Sequence, residues 1–190
     1  MKSRSVSILL VLGAVLALSG SAVAQQPQPA EVFNAFAVSL QAGGGAAVEI
    51  VINRWSTEGE KQLLTNVLKA SGSEAMVRIM QDLPQVGYIR GNNTMGDALF
   101  YAWSTNNPDG TRQVVIATDR PISAAAMVAP GTANKYDATV IEMRFNKDGK
   151  GEGKIVVAGK AFIDPKTGKP GIQNYQGQPV RLESITSKKH

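Results

Sequence analysis

The chain has 190 residues, a formal charge of +5, no cysteine, and a single histidine at its last position, His190. The lack of cysteine excludes disulfide scaffolds and Cys–His systems, and His190, last in a tail expected to fray, makes a poor catalyst, which argues against Ser–His–Asp nucleophile systems, histidine general bases and the usual His/Cys zinc and haem sites. Hydrophobic residues make up 43% of the chain, an ordinary globular value, so it is not disordered as a whole.

Met1 to Ala24 reads as a secretory signal peptide. Lys2 and Arg4 open it, mostly apolar residues run from Val6 to Leu18, and Ala22-Val23-Ala24 supplies a cleavage-type triplet. The apolar run falls short of the roughly 20 residues a spanning helix needs, and nothing later in the chain is apolar for long enough. Ser3 separates Lys2 from Arg4, so the twin-arginine signal is absent, and without cysteine there is no lipid attachment at the cut. Cleavage after Ala24 leaves 166 residues, sufficient for one domain with its own core, in the periplasm or outside the cell. Lys2 and Arg4 leave with the signal, which lowers the charge to +3, distributed as −2 over residues 25–134 and +5 over 135–190.

Residues 25–31 form a polar, proline-containing lead that is expected to be flexible, and the folded domain is placed at 32–187. Residues 31–41 turn apolar and strand-like; after Gly43-Gly44-Gly45, Val48, Ile50 and Ile52 alternate with Glu49, Val51 and Asn53, so a hairpin is expected. Thr57 and Glu60 have capping-box spacing and predict a helix start. Leu63, Leu64, Val67 and Leu68 mark its inner face, and Ser71-Gly72 supplies a stop. A second helix is expected from Ser73 to about Leu83, with Met76, Ile79, Met80 and Leu83 inward and Pro84 ending it. The methionines read as packing filler rather than a ligand stripe.

From Gln85 on, strands are expected near 85–91, 97–104, 111–118, 137–146, 152–163 and 178–187. Asn106-Asn107-Pro108-Asp109-Gly110 and Asp148-Gly149 are hairpin turns by composition. The stretch between Asp119 and Tyr136, with Pro121, Pro130 and Gly131, reads as a crossover or functional loop. Asp164 to Gly171 reads as an exposed loop, and 188–190 as a basic tail. The sum is an α+β fold: a curved antiparallel sheet or open barrel of about eight strands, with a pair of helices inserted after the first hairpin. A lipocalin-like barrel is a neighbouring idea, but the helices interrupt where such a barrel continues as sheet. Strand–helix–strand alternation and a glycine-rich phosphate loop are both missing, which argues against nucleotide-binding folds.

No residue earns a catalytic, cofactor-binding or metal-ligating assignment, and no cofactor is expected. Ser104, Ser123 and Ser184 are not followed three positions later by lysine. Glu49, Asp97, Glu142, Glu152 and Glu183 are the carboxylates available for glycoside hydrolysis, yet alternation puts Glu142 and Arg144 on a solvated face opposite Ile141, Met143 and Phe145. Asn146 to Glu152 faintly matches the start of a calcium loop, but Lys147 and Lys150 oppose a dication and a two-stranded turn is preferred. Tyr101 and Trp103 share a strand face, with Tyr88 in the expected partner strand; they floor a glycan or lipid pocket or, as preferred, finish a core. Asn92-Asn93-Thr94 matches the eukaryotic glycosylation pattern, but the short alanine-rich signal looks bacterial.

The basic C-terminal third holds Lys135, Lys147, Lys150, Lys154, Lys160, Lys166 and Lys169 among turns and strand edges, where lysine solubilises and blocks edge pairing. Nucleic acid is not expected as a partner, since arginine-rich runs with interleaved aromatics are missing. Lys188 and Lys189 add weak contact with anionic surfaces. The expected function is that of an exported, soluble, non-catalytic protein that binds a partner protein, a surface polymer or a small apolar ligand, with protein, glycan or a small apolar molecule as possible partners. The alternative is a histidine-free hydrolase that attacks a glycan or peptide through carboxylates.

Overall fold

Alternating apolar residues build the first hairpin. Strands β1 (Glu31–Ser39) and β2 (Gly44–Ile52) pair from Glu31↔Ile52 to Ser39↔Gly44, with Phe33, Ala37, Ile50 and Ile52 all buried. The computed structural model describes residues 28–39, 43–91, 95–122, 138–166, 170–174 and 179–189. The expected signal peptide, Asn92-Asn93-Thr94, residues 123–136 of the irregular stretch, and His190 lie outside the described residues.

One helix follows the hairpin where a pair was expected. α1 spans Glu58–Gln81, and Thr57 and Glu60 form the reciprocal capping box that the sequence predicts. Gly72 adopts φ 79 and ψ −175 inside it, so one residue absorbs the bend and no loop separates two helices. Directly after the bend, the Ser73 hydroxyl accepts the Ala161 amide at 3.1 Å. Leu64, Leu68, Met76 and Met80 are buried as expected, Val77 is buried besides them, and Leu63 is 44% exposed, one position off the packed stripe.

The remaining strands are β3 (Gly87–Gly91), β4 (Asp97–Leu99), β5 (Tyr101–Asn106), β6 (Arg112–Thr118), β7 (Ala138–Phe145), β8 (Gly151–Ile163), β9 (Pro170–Asn174) and β10 (Val180–Lys189). They join β1 and β2 in one antiparallel sheet ordered β4-β3-β2-β1-β10-β8-β7-β6-β5, with β9 attached to β8. The two ends of this order are halves of one bent segment, because β4 runs into β5 through Phe100. On one side the Val86 amide donates to the Leu99 carbonyl at 2.8 Å; on the other the Phe100 amide donates to Ala117 at 3.1 Å. The sheet therefore curls into a nearly closed barrel, which removes most of its free edge.

Four expectations change. The single strand expected at 97–104 is split, since Phe100 turns between two neighbours that belong to opposite ends of the sheet. Pro170 and Gly171, expected in an exposed loop, open β9 against Phe162 and Ile163. Lys188 and Lys189, expected as a tail, pair with Val32 and Glu31 in β10, and Glu31, expected in the flexible lead, is the first residue of β1.

The barrel interior holds Phe33, Ile50, Ile89, Ile116, Met143 and Leu182 among others, and the Phe33 and Phe145 rings meet at 5.7 Å. Side chains thus fill the lumen, as an eight- to ten-stranded ring of this kind permits. A second cluster forms outside the barrel, where α1 packs on Ala117, Val140, Ala161 and the partly buried Tyr101. In β10 the inward positions run Val180, Leu182, then Ile185. An extra residue against both neighbouring strands makes this shift, with Ser184 at φ 53.

Candidate functional site

Inward parity continues to the strand ends, where it meets charge. On β1 the inward series is Glu31, Phe33, Ala35, Ala37; on β6 it is Arg112, Val114, Ile116. β1 and β6 lie on opposite sides of the ring, so Glu31 and Arg112 reach toward each other across one mouth of the barrel. Arg112 donates through Nη1 to Glu31 Oε1 at 2.6 Å and through Nη2 to Oε2 at 2.7 Å. Its Nε donates to Ser104 Oγ at 2.7 Å, from the inward face of β5.

Three rings surround the guanidinium, with centroids at 5.9 Å for Phe33, 5.5 Å for Trp55 and 5.7 Å for Phe145. The Glu31 side chain is 1% exposed and that of Arg112 14%, so the carboxylate lies beneath and the guanidinium nearer solvent. A buried ion pair of this kind stands only because both groups are paired and hydrogen-bonded.

Above the pair is a concavity of about 410 Å³. Trp55, Trp103, Ser104, Asn106 and Arg112 line it, with Lys189 on its rim. It gathers both tryptophans of the chain. The Lys61 ammonium sits 4.2 Å from the Trp103 ring centroid and so takes one face of that indole. A second concavity of about 720 Å³ lies on the other side of Arg112, between the β5–β6 and β7–β8 turns.

Local contacts brace this end. Arg54, just past β2, is bidentate to Glu60 at 2.9 and 3.0 Å and also donates to the Pro84 carbonyl at 2.7 Å. The Arg54 hydrogen bonds, together with the Thr57 amide, hold the Glu60 carboxyl below its ordinary range despite the opposing effect of burial. Ser56 Oγ accepts the Ala102 amide at 3.0 Å and ties the segment holding Trp55 to β5.

The residues singled out from sequence fall elsewhere or only partly here. Trp103 lines the mouth, but Tyr101 packs under α1, where burial first and the Glu58 charge second push its phenol above the usual range. Tyr88 lies on β3 beneath Arg90, 5.5 Å from its ring centroid. Of the five carboxylates, Glu142, Glu152 and Glu183 line one outer groove of about 800 Å³ over β7, β8 and β10, while Glu49 is paired with Arg90. Asp97 sits on β4, away from that groove. Cations interleave with the groove's acids: Lys154 is 3.0 Å from Glu142, and Arg181 is 3.4 Å from Glu183. This is the solvated face that alternation predicts, with Ile141, Met143 and Phe145 buried on the other side. In the loop that faintly resembled a calcium site, the Asn146 carboxamide accepts the Asp148 and Lys150 amides at 3.0 and 2.9 Å, closing a turn.

Sequence reasoning missed Glu31, Trp55 and Arg112. For the two charges the available signal is period-2 parity with Phe33 and Val114, which is weak at a strand end, where a charge is ordinarily solvated. No protein family, curated protein or solved structure matches this chain. Among the described residues, no helix is long and apolar enough to cross a membrane.

Proposed function

We propose that the chain is exported after cleavage following Ala24, acts without catalysis in the periplasm or outside the cell, and binds its ligand at the Arg112 mouth. The export part rests on the basic start, short apolar core and Ala22-Val23-Ala24 triplet. The binding part rests on one observation: two tryptophans and a pre-positioned arginine surround an open concavity while the barrel beneath it is filled. Pockets of this size with aromatic walls and a few fixed polar groups are the common form of ligand sites. A filled lumen disfavours the small apolar ligand and leaves a partner protein or glycan.

Native mass spectrometry of the protein from its host's envelope fraction tests this reading. It predicts a chain starting at Gln25 that carries extra mass, and loss of that mass in Trp103→Ala. A chain starting at Met1 would refute export. Bare wild-type protein that turns over glycans or peptides, and stops on Glu152→Gln, would favour the hydrolase reading centred on the outer groove.

A further inference from the structure

We infer that the mouth accommodates a neutral pyranose ring of an uncharged oligosaccharide, an assignment that rests on the mouth being the binding site. Charge is the first argument. Glu31 already holds the Arg112 guanidinium bidentately at 2.6 and 2.7 Å, so a ligand carboxylate or phosphate must compete with a buried partner for it. Cationic ligands that seek indole faces meet Lys61 on Trp103 and Arg112 on Trp55. Neutral ligands meet neither obstacle.

Polar capacity is the second argument. Among the described residues, Arg112 uses three of its five N–H groups, on Glu31 and Ser104. Ser104 Oγ accepts from Arg112, which leaves its O–H to donate, and the Asn106 amide offers both donor and acceptor. A row of groups that both give and take hydrogen bonds complements hydroxyls, which do the same.

Shape is the third. A pyranose has one flat C–H face and a polar rim; Trp55, and Trp103 from the outer face of β5, border the concavity, and Ser104, Asn106 and Arg112 offer polar partners. The volume of about 410 Å³ suits a short stretch of sugar rather than a long chain held end to end.

The test is calorimetric and fluorescence titration of the host-purified mature protein with maltohexaose, cellohexaose and chitohexaose, alongside oligogalacturonate and a heparin hexasaccharide. The expected result is that a neutral hexasaccharide binds, shifts the tryptophan emission, and changes affinity little between about 0.05 and about 0.5 M salt. Asn106→Ala, at an exposed position that leaves the fold intact, and Trp103→Ala should each weaken it, the latter about tenfold. Binding of the charged oligosaccharides alone, with strong salt dependence, would overturn the neutral-sugar assignment, as would no binding by any neutral probe. In either case, retained mass that disappears from Trp103→Ala would keep the mouth as the site. Sugar binding unaltered in both variants would instead remove the mouth reading itself.

Discussion

Replacing Arg112 with methionine tests the cross-barrel ion pair most directly. Methionine keeps much of the side-chain volume among Phe33, Trp55 and Phe145, but it leaves the Glu31 carboxylate 1% exposed and without its partner. Breaking a buried pair in this way costs about 3–5 kcal/mol. Domains have about 5–15 kcal/mol of stability in all, so the loss is a large fraction. At roughly 2–4 °C per kcal/mol for a chain of this size, the melting temperature should fall by about 6–20 °C.

Urea unfolding at neutral pH, followed by tryptophan emission, should show this loss in the single variant. The double variant Glu31→Met with Arg112→Met should recover most of the loss, because neither charge is then buried alone. A single-variant loss under about 1 kcal/mol at neutral pH would refute the claim that the pair is desolvated.

Thr57→Ala removes the acceptor for the Glu60 amide and should cost about 1 kcal/mol by denaturant midpoint. Glu60→Gln should destabilise near neutral pH; because the Glu60 carboxyl is held low by Arg54, its contribution is present above the ordinary carboxylate range and is lost as pH falls through the folded pKa. The gap to wild type should then close in acid, and a gap that widens there would contradict the assignment. Ser184→Gly relieves a φ of 53 and should raise stability by about 1 kcal/mol; a lower melting temperature would show that the hydroxyl does more than occupy the bulge. Gly72→Ala places a Cβ at φ 79 and should cost about 1–2 kcal/mol, even though open space surrounds the position; helical circular dichroism and thermal melts would report it.

Local chemistry was legible wherever neighbours in sequence are also neighbours in space. Thr57 and Glu60 cap α1 because three-residue spacing alone brings hydroxyl and carboxylate to each other's amide. Gly110 and Gly149 take φ 82 and φ 75 in the two expected hairpins. Alternation assigned Ile141, Met143 and Phe145 to the core and Glu142 and Arg144 to solvent. Gly72 reads as a stop and does break the helical geometry, but the turns on either side run on as one kinked element, and spacing alone does not show that continuity. Pro170 and Gly171 were read as loop, because turn-forming composition cannot reveal that β8 extends far enough to pair with them.

The sequence by itself determined strand parity, the helix start, the hairpin turns and the lack of cysteine chemistry. Each depends on residue type and short spacing. Only the tertiary structure decided that β4 and β5 bridge the two ends of one sheet, that Ser184 shifts the register of β10, and that Glu31 meets Arg112 across 81 positions of chain. The physical reason is ring closure: parity says which face a side chain takes, whereas curling the sheet decides which inward residues share a mouth.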